Sequence, residues 1–228
     1  MGISNGCRSA LFLFVLFTSQ IVYSQSSSQK TIDTKKLFNE AVEKYKNQDF
    51  ENAYIDFVKV LATDKTNNEA VLLAGISAYQ IGKNEEAISY LENPNIPNTN
   101  FDKMSFLGNC YANIGNKEKA IAFLDLALQI DNSSYDAYER KGRVLLFQYQ
   151  DSKLALPILK KAVELSENPY SLYHLGIAYS RLENYEDAKK VFLLSQKIMK
   201  DNNVDDKWLS DNLIWALGKT ENKEPLVF

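Results

Sequence analysis

The sequence predicts an all-α chain made of about five helix–turn–helix units, closed at its C-terminal end by one further helix. Three observations carry that prediction. Glycine (9) and proline (5) are scarce in 228 residues, which disfavours a turn-rich β-sandwich and favours helices with short connections. A pattern of small and apolar residues recurs five times at near-constant spacing. Within each recurrence the apolar residues fall at i, i+3, i+4 and i+7, in two blocks split by a polar turn, as paired amphipathic helices require. Hydrophobic residues at 45% and charged residues at 24% are ordinary for a globular chain and argue against wholesale disorder.

Residues 1–24 read as a signal peptide. A short polar start holds Arg8, an apolar core spans residues 10–17, and Val22-Tyr23-Ser24 supplies the small residue and spacing of a cleavage site. The apolar core is well short of the roughly 20 residues a spanning helix needs. The alternative is an uncleaved membrane anchor or a buried first helix. A lipoprotein signal is disfavoured, because Cys7 precedes the apolar core. Residues 25–33 read as a flexible leader. The expected destination is therefore periplasmic or extracellular. With Cys7 removed, Cys110 has no disulfide partner, and it falls on an apolar helix face as a buried thiol.

The units are 34–67, 68–100, 101–134, 135–168 and 169–202. Unit three shows the pattern most clearly: Leu107-Gly108, Tyr111, Gly115, Ala120, Leu124 and Ala127. Unit five repeats it with Leu175-Gly176, Tyr179, Tyr185, Ala188, Phe192 and Ser195. Unit one contributes Leu37, Ala41, Tyr45, Phe50, Ala53, Phe57 and Val60, and unit two Val71, Gly75, Tyr79, Gly82, Ala87 and Leu91. Unit four contributes Tyr138, Gly142, Ala155, Leu159 and Ala162, with one extra residue between its helices. Glycine inside a helix costs about 1 kcal/mol relative to alanine, so its recurrence at one register asks for close helix contact. Asp49 and Asn184 stand where N-caps are wanted.

These residues resemble the tetratricopeptide repeat, with its 34-residue period and its W-x₂-L-G-x₂-Y, Ala, Phe, Pro signature. The resemblance covers about three quarters of the chain and implies a right-handed superhelical solenoid. The chain departs from the family at three points. The consensus tryptophan is replaced by Leu, Val, Met or Tyr. Pro94 and Pro97 shorten the second helix of unit two, which is expected to bend or loosen the stack there. Pro157 is expected in the first turn of the second helix of unit four, where proline is tolerated. Residues 203–218, with both tryptophans (Trp208 and Trp215), read as a capping helix, and 219–228 as a loose tail.

No catalytic constellation is visible. His174 is the one histidine, and neither a phosphate-binding nor a dinucleotide-binding glycine motif occurs. The expectation is a non-enzymatic protein with no cofactor and no metal. The net charge of −3 lacks the basic balance that nucleic acid requires.

The resemblance implies that first helices line a concave groove in which a protein or peptide partner lies. Carried onto this sequence, the partner-contact residues are Phe38 and Tyr45 of unit one, Tyr79 of unit two and Phe106 of unit three. Unit four adds Arg140, Arg143 and Phe147, and unit five Tyr170, Tyr173 and Arg181. His174 is expected in the groove or at the surface. Arginine forks carboxylates and stacks on rings, so the three arginines point to an acidic or C-terminal-carboxylate peptide; the bland reading is exposed ion pairs with neighbouring acids. The family's two-carboxylate clamp is not supported, since Phe38 and Val42 hold its places. Two other readings stand beside the adaptor: a structural subunit self-associating through the ends of the stack, and a glycan or wall-polymer binder using the groove aromatics.

Overall fold

A computed structural model describes residues 33–224 and residue 226. The expected signal peptide and nearly all of the leader lie outside the described residues. The helices are α1 (33–46), α2 (Phe50–Thr63), α3 (Asn68–Gln80), α4 (Asn84–Leu91), α5 (Phe101–Asn113) and α6 (Lys117–Ile130). There follow α7 (Tyr135–Arg143), a π turn (Val144–Gln148), α8 (Ser152–Leu165), α9 (Pro169–Arg181), α10 (Tyr185–Asp201) and α11 (Lys207–Glu221). No strand occurs among the described residues.

Most helix starts have a local cause. Asp49, Asn67, Asn100, Asn116, Ser134, Asp151, Asn168, Asn184 and Asp206 cap the helices that follow them, each side chain accepting from a backbone N–H of the first turn. One such cap is worth about 1 kcal/mol. The turns inside the five predicted units each hold a residue in the left-handed region: Gln48, Gly82, Gly115, Gln150 and Glu183. Only two of these are glycine, the residue that adopts this conformation without strain.

The described residues divide into two compact units, one ending at Gly82 and the other beginning at Lys83. In the first, α2 packs on α3 around Phe57, Val60, Val71 and Ala74. Asp56, buried on α2, is held by Lys44 of α1 and by Lys59, whose Nζ lies 2.7 Å from Oδ1. In the second unit α5 packs on α6, α7 on α8, α9 on α10, and α11 on α10. The recurrent glycines sit at the closest approaches. A Cβ placed on Gly108, Gly142 or Gly176 would lie 2.5, 2.5 or 2.3 Å from Leu124, Leu159 or Phe192 respectively. Ala120, Ala155 and Ala188, the recurrent small residues of the second helices, are fully buried.

The second helix of unit two is short, α4 ending at Leu91 ahead of Pro94 and Pro97. In the segment that follows, Ile96 is buried, and Lys103 of α5, itself buried, donates from Nζ to Ile96 O (2.7 Å) and Asn98 Oδ1 (2.9 Å). Two expectations need correction. Pro157 is not in a first turn, because α8 begins at Ser152 and the ring lies inside the helix. The tail is not wholly loose: α11 runs on to Glu221, and Leu226 is 1% exposed within the apolar cluster that includes Leu145, Leu146 and Ile177.

The extra residue of unit four is absorbed by the π turn, where Tyr149 N donates to Val144 O five residues back. On α11, Leu209, Leu213, Ala216 and Thr220 are buried. Its other face leaves Trp208 56%, Ile214 62% and Trp215 38% exposed.

Candidate functional site

Of the sequence-predicted contact residues, three belong to the first compact unit. Phe38, Tyr45 and Tyr79 are half-buried there. Phe38 packs its ring 5.9 Å from Phe57, and Tyr45 sets its ring edge-on to Phe50 at 5.5 Å. The remaining seven lie in the second unit, on α5, α7, the π turn and α9.

The centre of this second group is Glu139. It stands on α7 one turn before Arg143, with its carboxylate buried. Its Oε1 lies 2.8 Å from His174 Nδ1 of α9, the distance of an ion pair when the imidazole is protonated, although Nδ1 makes no aligned hydrogen bond. Burial alone pushes the Glu139 carboxyl up; the His174 contact and the charges of His174, Arg143 and Arg140 outweigh it and hold the pKa below the usual range. His174 is therefore not a surface residue. It is 7% exposed and sits edge-on to Phe147 at 5.8 Å.

The three arginines take different roles. Arg140 Nε donates to Asp136 Oδ2 at 2.6 Å, one turn back on α7, and the guanidinium lies 5.2 Å from the Phe106 ring. Arg181, at the end of α9, donates from Nη1 to Leu146 O and from Nε to Leu226 O (3.2 Å), with Phe147 5.4 Å beneath it. Arg181 is thus engaged inside the molecule rather than presented in an open groove. Arg143 remains 49% exposed, with Nε 3.9 Å from Glu139 Oε1, a long and weak contact.

The tyrosines also part company. Tyr173 is 2% exposed, wedged against Phe192 and Trp208, with its hydroxyl directed at Asn212 Oδ1 (3.3 Å); it is a core residue, not a groove residue. Burial pushes its hydroxyl up to about 12. Tyr170 donates its hydroxyl to Asp206, the cap of α11, and that bond first, then burial, pushes it up to about 12.

Together Tyr135, Asp136, Glu139, Arg143, Asn168, Tyr170 and His174 line a cleft of about 250 Å³. The register brought Arg143, Tyr170 and His174 to it. It missed Tyr135, Asp136 and Asn168, which double as the helix-start residues of α7 and the cap of α9. A larger cleft of about 760 Å³ opens where α10 gives way to α11; aspartates and lysines line it and no aromatic ring does. Cys110 is buried, and burial pushes its thiol up to about 12, which makes it inert. Among the described residues no cluster of histidine, cysteine and carboxylate side chains is arranged to hold a metal ion. No helix there is long and apolar enough to cross a membrane.

The tetratricopeptide repeat family model matches residues 104–134 and 169–202. No curated protein sequence matches the chain significantly. Among solved structures the chain is similar to TTC0263, a thermophilic TPR protein of Thermus thermophilus. That match has 16% identity and a TM-score of 0.65, over 81% of this chain and 98% of that one. MamA matches at 24% identity and a TM-score of 0.61, over 72% of this chain and 96% of that one. YrrB, a TPR protein with an unusual peptide-binding site, matches at 20% identity and a TM-score of 0.58, over 81% and 90% of the two chains. The recurring register, the glycine contacts and these likenesses agree on the fold: residues 104–134 and 169–202 match tetratricopeptide repeats, within a helical-hairpin fold of the same kind as these structures.

Proposed function

We propose that this protein is a non-catalytic interaction module of the cell envelope, exported by its N-terminal segment, that binds a peptide or protein partner at the cleft between α7 and α9. One observation carries the reading: Arg143 stands half-exposed over the buried Glu139–His174 pair, at a cleft edged by Tyr135 and Tyr170. Arginine and tyrosine are the residue types that dominate binding hot spots.

The partner this chemistry fits carries a carboxylate for Arg143 and an apolar group for the tyrosine rings. Arg140 and Arg181 are already engaged, so one arginine rather than three supplies the open fork. The peptide-binding site of YrrB, on the same fold, supports a peptide as the ligand class. The test is crosslinked capture from native envelopes with wild-type protein and with Arg143→Ala. A partner retained by the first and lost by the second supports the reading; identical capture by both sinks it.

The exposed Trp208, Ile214 and Trp215 on α11 favour a second reading, self-association through the C-terminal helix. Light scattering at micromolar concentration separates the two. A monomer that still captures its partner leaves the adaptor standing; a stable oligomer dispersed by Trp208→Ser with Ile214→Ser establishes the second.

A further inference from the structure

Residues 219–224 and Leu226 make contacts that the repeat pattern does not require. Lys223 adopts a left-handed φ of 54°, its N–H donates to Thr220 O, and Glu224 N donates to Lys219 O. An ion pair between Lys219 and Glu224 closes the turn. Beyond it Leu226 is buried in the cluster of Leu145, Leu146 and Ile177, and its carbonyl accepts from Arg181 Nε at 3.2 Å.

The receptor side of this contact is built by two other elements. The π turn alters the backbone ladder at Leu146, whose carbonyl accepts a hydrogen bond from Arg181, and Phe147 lies under the guanidinium. Arg181 is thereby held with its Nε directed to one further acceptor. The notch accepts one apolar side chain and one main-chain carbonyl, which is how an extended peptide is read. Among the described residues the occupant contributes the buried Leu226 side chain and a carbonyl that accepts from Arg181, on a turn whose own bonds are local.

We propose that the notch between the π turn and the end of α9 is a site for an extended peptide bearing a leucine-type side chain, and that Leu226 fills it in cis, so that a partner segment enters by displacing the tail. This rests on the peptide-binding reading above and extends it to a neighbouring subsite. A short tether gives a tail a local concentration on the order of millimolar, enough to exclude weak ligands and admit those that also engage a second contact.

The probe is a fluorescein-labelled peptide of the chain's own residues 222–228, Asn-Lys-Glu-Pro-Leu-Val-Phe. Fluorescence anisotropy is measured against the full chain and against a chain ending at Glu224. The truncated chain is expected to bind it saturably and at least about tenfold more tightly than the full chain. A peptide with Leu226→Asp is expected to lose that binding. Equal affinity for the two chains, or equal affinity of the two peptides, overturns the proposal. If truncation unfolds the chain by circular dichroism, the full chain with Leu226→Ala replaces it, and an affinity no better than the parent's overturns the proposal equally. Because the probe is the chain's own tail, its failure leaves the Arg143 capture result intact, and loss of that reading leaves this binding measurable.

Discussion

Glu139 Oε1 and His174 Nδ1 meet at 2.8 Å across α7 and α9, with both side chains buried. Removing the imidazole leaves a carboxylate inside the protein that Arg143 reaches only at 3.9 Å. His174→Ala is expected to cost about 3 kcal/mol at pH 7 in urea denaturation, the scale for breaking a buried pair. Glu139→Gln is expected to cost less, because it removes the buried charge. The Glu139 carboxyl titrates below its unfolded value, so its contribution is full above about pH 4.3 and is lost as pH falls through the folded pKa. The acid limb of stability should therefore be shallower in Glu139→Gln; parallel limbs in the two proteins count against the pair.

Gly176 approaches Phe192 so closely that a methyl group would lie 2.3 Å from the ring, whereas a Cβ on Gly218 of α11 meets nothing within 4 Å. Gly176→Ala is expected to destabilise by about 1–3 kcal/mol despite its better helix propensity. Gly218→Ala is expected to raise stability by up to about 1 kcal/mol, for propensity alone. Thermal melts of the two variants should move in opposite directions.

Tyr170 is tied to Asp206 at the start of α11. The phenol is held up to about 12, so its contribution is present below the unfolded value of about 10 and is lost as pH rises through 12. The Asp206 carboxyl is held down, chiefly by this same bond, so its contribution disappears in acid. Trp208, two residues on and edge-on to Tyr173, reports the lock by fluorescence. The wild type should show a larger alkaline transition above about pH 10 than Tyr170→Phe, in which only Tyr173 remains to titrate beside Trp208.

Lys103 holds the segment 94–100 by bonds to Ile96 O and Asn98 Oδ1. Lys103→Met should leave the buried Ile96 carbonyl unpaired, at a cost of about 1–3 kcal/mol. Limited proteolysis should then cut between residues 93 and 100 sooner than in the wild type. An unchanged cleavage rate would show that Ile96, rather than the lysine, fastens the loop.

The repeat register could be read without coordinates because it is written in local periods. Ala120, Gly108 and Leu124 are small or apolar where one helix must touch the next, and the 3.6-residue period repeats that requirement in every unit. The same register also selected Arg143 and Tyr170 for the cleft. It went astray at Tyr173, which it set in the groove and which the packing of α10 and α11 encloses.

Composition and period by themselves thus determined the helical class, the paired helices, the caps at Asp49 and Asn184 and the positions of close contact, since each depends on residues within a few turns of one another. Only the tertiary structure decided where long polar side chains end. Arg181 reaches 35 residues back to Leu146 and 45 forward to Leu226, and Tyr170 reaches 36 forward to Asp206. Such pairings depend on how the π turn and α11 are set against α9. A periodic pattern records which face is buried, but not which acceptor a buried donor will find there.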